Sequence, residues 1–265
     1  MRIDAILLTK YFYDIMDFDE WMDWHLNKCR FTHIFIIDNN SHVNLYDASR
    51  KYDGFISYER IDGIPVQADV YNKYVNMVSD AEYVMPIDDD EYVEVSGFDS
   101  ILDAMDYYKS KYQPDVLAVR WKTLFPHDLS MRRTGKVSEY CTDTNKRWSN
   151  YFDLGGDNSF KCIVRRDCSP RYMNRCDPLA KCGTHIPCVN GHVRATLQDG
   201  RHSYTQIAVG DIADEHIRLI HCRYKGPEEY KEKCKSWMTI SDCVPKRRQY
   251  SFNKLIDELS IGHPA

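Results

Sequence analysis

The sequence predicts an α/β fold, a mostly parallel sheet flanked by helices, with an irregular second half. Three observations predict it. Apolar strand-like runs alternate with helically spaced apolar residues over the first 125 positions, the pattern that lays helices on the faces of a parallel sheet. Those strand runs are continuously apolar, as strands buried on both faces are. One of them, at 83–87, ends abruptly in Asp88-Asp89-Asp90-Glu91, which puts carboxylates at a strand end, where open α/β sheets bind ligands.

In chain order, residues 3–9 read as the first strand. The loop at 10–17 carries Tyr11, Phe12 and Tyr13, aromatic side chains that either stack on a ligand ring or pack in the core. Asp17 or Asp19 then caps a helix through Trp21, Trp24 and Cys29, with His25 read as packing. A second strand at 31–37 ends in Asp38-Asn39-Asn40-Ser41. A carboxylate and two amides there either bind a nucleotide or close an Asx-type turn. A third strand at 55–61 and a helix at 67–78 lead into the acidic strand. The helix at 98–112 is stopped by Pro114, and 115–123 is another strand. Periodicity fails past Phe125, and the polar stretch 126–158 reads as long loops that order over a substrate. Strands resume at 160–165 and 217–221, and Gly226-Pro227-Glu228-Glu229 starts a helix through Trp237.

Composition removes several classes. A chain of 265 residues buries a large core as one domain. A net charge of −5, with 28% charged residues, leaves no pull toward nucleic acid or anionic membrane. The N-terminal apolar run is too short and too acidic for a signal peptide or a transmembrane segment. A cytoplasmic setting is therefore expected, with most of the ten cysteines as free thiols. Cys176, Cys182, His185 and Cys188 lie close in sequence, yet they contain no CxxC pair and match no usual zinc spacing.

The acids carry the chemistry. Four adjacent carboxylates repel one another, which raises the cost of ionising each and calls for a cation. Asp88 and Asp90 share one side of an extended segment, and hard oxygen ligands suit Mg2+ or Mn2+. A solvated acidic loop is the alternative.

Several stretches in order resemble the nucleotide-sugar glycosyltransferases with the GT-A fold, and more narrowly a family-2-type group related to glycosyltransferase family 92. These are Trp24-His25, the run from Phe31 to Ser41, Gln67 with Tyr71-Asn72, and Asp88-Asp89-Asp90-Glu91-Tyr92. They continue with Lys161-Cys162-Ile163-Val164-Arg165 followed by His185, and with the segment from Ile217 through His221 to Tyr230 with Lys233. Cys222 stands where an aromatic residue is common in the family, and Gly226 where a serine is.

That resemblance implies a single GT-A domain over 1–265, with a nucleotide-sugar-binding half (1–125), an acceptor and metal-completing half (126–240) and a tail (241–265). It implies inverting transfer of a hexose from a nucleoside-diphosphate sugar, a UDP-sugar favoured, to a hydroxyl of a glycan or glycoconjugate, with peripheral attachment where glycans are assembled. Mn2+ or Mg2+ would be held by Asp90 and His221, with Asp88 on the metal, on a metal-bound water or on the ribose. Read without the resemblance, His221 is a core histidine. Thr9, Tyr11, Asp38, Asn39, Asp88 and Asp89 would border the nucleoside, with Lys225 and His185 near the phosphates. The base that takes the acceptor's proton would come from the irregular half. Asp157 leads, behind Gly155 and Gly156, which let backbone approach a ligand, with an Asp in a Gly-rich turn as the alternative; Asp153, Glu139 and His127 follow. Two other readings stand beside this one: a phosphoryl-transfer enzyme of the haloacid-dehalogenase type, whose aspartates normally follow the first strand, and a non-catalytic glycan-binding module of transferase descent.

Overall fold

The first strand, β1 (Ile3–Thr9), runs through the middle of a ten-stranded sheet. The fold is that of a computed structural model, which describes residues 1–9, 12, 14–63, 67–126, 135–142, 159–173, 184–204, 212–222, 224–226 and 229. Parallel to β1 lie β2 (His33–Asp38) on one side and β4 (Tyr83–Ile87) on the other, with β3 (Ile56–Arg60) outside β2. Beyond β4 the sheet continues antiparallel through β7 (Phe160–Arg165) to β6 (Val116–Thr123). β12 (Ile217–His221) joins β6 in parallel and carries β5 (Glu91–Val95) antiparallel on its other side. Two short strands, β10 (Ala195–Thr196) and β11 (His202–Ser203), extend from β6, and β8 (Cys188–Val189) pairs with β9 (His192–Val193) in a separate ribbon. Among the described residues, parallel pairings in the large sheet outnumber antiparallel ones by five to four.

Side-chain alternation along β1 explains why helices cover both faces. Ile3, Ala5 and Leu7 pack with Phe18, Trp21 and Met22 of α1 (Ile15–Asp23) and with Ile101, Ala104, Met105 and Tyr108 of α4 (Ile101–Tyr112). Ile6 turns the other way. It packs with Phe35, Ile37 and Val84, against Ala68 and Tyr71 of α3 (Gln67–Lys73) and Tyr74 and Val75 of the π-helical turn that continues it. Each buried Ile, Leu, Val, Phe or Met side chain among these contributes about 1.5–3 kcal/mol. The α/β class is the one the alternation predicts, and β1, β4, β7 and β12 fall where the sequence places strands.

The differences are local. α1 starts at Ile15 and is capped by Asp14, whose carboxylate accepts from Met16 N–H at 2.8 Å, not by Asp17 or Asp19. Asp17 is buried in the first turn, carried inward beside Phe18. α4 starts at Ile101 behind a Ser100 cap and ends at Gln113, which takes the left-handed conformation at φ 47°. β5 was not expected, because it opens on the last residue of the acidic run. α5 (Val137–Tyr140) is a short helix in the stretch read as loops, and α2 (Leu45–Ser49) lies between the second and third strands, where no element was assigned. The helix expected after Gly226 lies outside the described residues. No helix among the described residues is long and apolar enough to cross a membrane.

One buried amide fixes where β12 begins. Gln198 is fully buried; its Oε1 accepts from the backbone N–H groups of His216 (2.9 Å) and Ile217 (2.8 Å) and contacts the Tyr108 hydroxyl (2.5 Å), while Nε2 donates to the Ile217 carbonyl (2.5 Å). Replacing it with leucine keeps the bulk but takes the acceptor from the buried Ile217 N–H, while the His216 N–H keeps the Tyr108 hydroxyl at 3.0 Å. Gln198→Leu is expected to cost about 3 kcal/mol, read as a lower denaturation midpoint at unchanged slope. A loss below about 0.5 kcal/mol would show that the junction does not anchor the strand.

Candidate functional site

The chain crosses from one side of β1 to the other between β3 and β4, so the sheet's switch point falls between β1 and β4. Ligand crevices of open α/β sheets form beyond the C-terminal ends of strands at such a point. Register brings those ends level: Thr9 pairs with Asp38, and Leu7 with Ile87. The acidic run therefore leaves β4 beside Thr9, and the two are joined directly, Thr9 Oγ1 donating to Asp89 Oδ2 at 2.8 Å.

Several groups hold the four acids in one tight turn. The Glu91 N–H donates to the Asp88 carbonyl at 3.2 Å, and the Asp88 N–H donates to Glu91 Oε2 at 2.8 Å. From α1, the Trp21 indole N–H reaches the carbonyls of Asp88 (3.2 Å) and Glu91 (3.0 Å). Lys161, on β7, buries its ammonium 2.7 Å from Asp88 Oδ1 and 2.8 Å from Glu91 Oε2. Lys225 donates to the Asp89 carbonyl at 2.7 Å and stands 5.0 Å from the centre of the Phe12 ring.

Burial pushes the Glu91 carboxyl up to about 8; Lys161 opposes this, and the carboxylates of Asp88 and Asp90 add to it. Burial alone would also drive Lys161 down, but Asp88 and Glu91 outweigh it and hold the ammonium above its usual value. Glu91 Oε1 has no hydrogen-bond partner among the described residues.

The histidine far down the chain arrives at this turn. β12 places His221 opposite Glu91 on β5 and beside Thr123 on β6. The next residue, Cys222, donates its N–H to the Asp90 carbonyl at 2.8 Å. With its backbone pinned there, His221 holds Nε2 3.4 Å from Asp90 Oδ2, both side chains largely buried. The Trp121 ring lies 4.6 Å from the His221 ring and 5.0 Å from that of His185. His185 is therefore on the same wall, buried, one ring further on.

The other residues singled out from sequence divide clearly. Asp38 is fully buried, with Oδ1 accepting from Ser41 N–H (2.7 Å) and Oδ2 from the Tyr58 hydroxyl (2.8 Å). Its carboxylate thus closes the Asx-type turn. Asn39 donates to the carbonyls of Ile61 (3.1 Å) and Gly63 (2.9 Å), tying the β2 end to the chain beyond β3. Glu139 is exposed on α5, whose first N–H groups, those of Val137 and Ser138, are capped by Glu20 of α1 at 2.7 and 2.9 Å. Tyr11, His127, Asp153 and Asp157 lie outside the described residues, as do Cys176 and Cys182. The six described cysteines, Cys188 among them, are free thiols.

Among the described residues, no group of three or more His, Cys, Asp or Glu side chains is arranged to hold a metal ion. The Asp90–His221 pair supplies two donors. Mg2+ is typically bound by one or two carboxylates and fills the rest of an octahedron with phosphate oxygens and water; here Asp90 is the carboxylate and His221 adds a nitrogen donor. A two-donor site at the strand ends of an open sheet leaves such a cation room for those further ligands.

Lys161, Trp21 and Trp121 are the residues that pattern reading assigned no role in the site. A lysine inside the apolar run 160–165 was a usable signal, because a buried ammonium requires partners.

No protein-family model and no curated protein sequence matches the chain. Among solved structures it is similar to S. aureus TarS 1-349 in complex with UDP-GlcNAc, at 16% identity and a TM-score of 0.39, over 63% of this chain and 46% of that one. S. aureus TarS is similar at 15% identity and a TM-score of 0.39, over 63% of this chain and 29% of that one. The 4-diphosphocytidyl-2C-methyl-D-erythritol synthase of Anaerococcus prevotii DSM 20548 is similar at 12% and 0.33, over 63% and 70%. The matched region spans less than half of these TarS chains. At TM-scores this low, none of these likenesses bears on what the chain binds.

His25 makes the turn's support sensitive to acid. Its Nδ1–H donates to the Trp21 carbonyl at 2.7 Å and its Nε2 accepts from Val93 N–H at 3.3 Å, so the buried ring is neutral. Burial pushes its pKa from 6.5 down to about 3, against the Trp21 carbonyl, which favours the charged form. Below pH 6.5 the unfolded chain takes up a proton that the folded one refuses, so this contribution to stability is complete above 6.5 and falls away toward about 3. Unfolding followed between pH 7 and 4 is expected to show a shallower decline for His25→Gln than for the native chain. Equal slopes would mean that the ring is not held neutral.

Proposed function

We propose that this chain is a metal-dependent glycosyltransferase of the GT-A type. It would move a hexose from a nucleoside-diphosphate sugar, a UDP-sugar favoured, to a hydroxyl of a glycan or glycoconjugate, with inversion. The observation that carries the reading is the 3.4 Å approach of His221 Nε2 to Asp90 Oδ2 at the C-terminal edge of a parallel sheet. Two residues from distant parts of the chain meet where a nucleotide diphosphate would lie, and the strand that brings the histidine is locked to the acidic turn by its backbone. The resemblance of the acidic and histidine segments to the glycosyltransferases supports it independently of the geometry.

In this reading Asp90 and His221 hold Mn2+ or Mg2+. When bound, such a cation neutralises the charge that builds on a departing diphosphate. The chain's own residues do the rest. Thr9 orients Asp89, and Asp88 offers an acceptor to the nucleotide. Lys225 keeps positive charge beside the acids; among the described residues one of its three donors is used, on the Asp89 carbonyl, and the others serve phosphate oxygens. Trp121 borders the sugar, and His185, one ring further on, orients the acceptor or the donor phosphate. Inversion needs a base on the face opposite the diphosphate; Asp157 is assigned that role, with Asp153, Glu139 and His127 as substitutes. Membership of the narrower group related to family 92, and attachment at a membrane, belong to the same proposal.

Thermal melting tests it directly, because a ligand that binds only the native state raises the melting temperature. UDP-sugars with Mn2+ are expected to raise the midpoint, and more than either component alone. Asp90→Ala and His221→Ala are each expected to abolish the Mn2+-dependent part and to lower Mn2+-dependent UDP-sugar turnover by at least about 100-fold. A shift by GDP compounds alone would overturn the choice of donor. Release of phosphate from an aryl phosphate, with no response to any sugar nucleotide, would overturn the transferase reading itself.

A further inference from the structure

A buried lysine is costly unless its charge is matched, and Lys161 is matched unevenly. It lies in β7 among Phe160, Cys162, Ile163 and Val164, all buried, and its side chain is only 1% exposed. Its ammonium reaches Asp88 Oδ1 at 2.7 Å and Glu91 Oε2 at 2.8 Å. Glu91 is sealed in, whereas the Asp88 side chain is 30% exposed. Lys161 is thus the point at which the interior grips one edge of a carboxylate that otherwise faces the crevice.

The two oxygens of Asp88 are treated differently. Oδ1 collects Lys161 Nζ, the Tyr71 hydroxyl at 3.1 Å and Gln67 Nε2 at 3.3 Å. Oδ2 takes no hydrogen bond from a described residue. Tyr71 and Gln67 are in turn joined at 2.6 Å, so their contribution to Oδ1 is shared, and they are neutral. Among the described residues Lys161 brings the only charge to that oxygen, an ion pair at 2.7 Å in a buried setting where charge attraction is weakly screened.

We propose that Lys161 is the positioning residue that turns Asp88 into a one-sided acceptor, holding Oδ1 inside so that Oδ2 is presented to a ribose hydroxyl of the bound nucleotide. This rests on the nucleotide-sugar reading above. The assignment divides the acidic run between two tasks: Asp90 with His221 at the diphosphate end, Asp88 with Lys161 at the ribose end. Lys161 also cancels one charge of the run, which keeps Asp88 from competing for the cation.

Calorimetry with UDP and with 2′,3′-dideoxy-UDP, both in Mn2+, reads this without turnover. The native chain is expected to bind UDP at least about tenfold more tightly than the dideoxy compound, the worth of one hydrogen bond to a charged acceptor. Asp88→Asn and Lys161→Met are each expected to bring that ratio to within about twofold, and the double variant to go no further. A lysine with a purely structural role would weaken both ligands alike and leave the ratio untouched. If Lys161→Met does not fold, the variant carrying Tyr71→Phe and Gln67→Ala decides, since Lys161 alone is then expected to preserve most of the native ratio. Collapse of the ratio in that variant, or its survival in a folded Lys161→Met chain, overturns the proposal. So does a native chain that binds both compounds equally, which leaves the donor reading standing; a native chain that binds no UDP overturns both.

Discussion

Four consecutive carboxylates at the end of a buried strand repel one another, and the site depends on how that repulsion is contained. Containment comes from every side. Lys161 meets Asp88 and Glu91 from β7, Lys225 meets the Asp89 carbonyl, Thr9 meets the Asp89 carboxylate from β1, and Trp21 ties two carbonyls of the turn to α1. Glu91 does not compete for a ligand at all: its carboxylate folds back on the Asp88 N–H and closes the turn. Asp88 is left partly exposed on one side, and Asp90 lies buried against its histidine on the other.

The His221 contact follows from that containment and from strand order. β5 begins at Glu91, so the strand leaving the acidic turn is also the one that receives β12. β12 can then deliver its last residue only at the turn, and the Cys222 N–H on the Asp90 carbonyl fixes the distance. Upstream, Gln198 sets the other end of β12. The backbone of β12 is thus held at both ends, by the Gln198 amide and by the Asp90 carbonyl, the kind of rigid support that precise sites require.

Much of this was legible in the sequence. The parallel block of β1, β2, β3 and β4 could be read because its strands are apolar runs separated by helical spacing, and the strand end rich in acids pointed to the crevice. His221 was a different matter: by residue type alone it is a core histidine, and only the likeness to a glycosyltransferase segment placed it with Asp90. β5 was hidden because its first residue reads as part of a turn. Asp14, Asp17 and Asp19 are all plausible helix caps by type, and the inward phase of Phe18 and Trp21 decides among them. Asp38 kept two readings open, and its bonds to Ser41 and Tyr58 realise the turn. The pairing of Lys161 with Asp88 depends on the order of β4 and β7 in the sheet, which no local pattern encodes.

The proposed function requires one divalent cation gripped by a carboxylate and an imidazole that the chain brings together from far apart. Pulsed electron paramagnetic resonance of Mn2+ bound together with UDP asks this of the cation itself, because a coordinated imidazole nitrogen couples to the electron spin. A nitrogen coupling that is present in the native chain, kept in His185→Ala and lost in His221→Ala is the expected result. Bound Mn2+ with no nitrogen coupling, or with a coupling that survives His221→Ala, would contradict it.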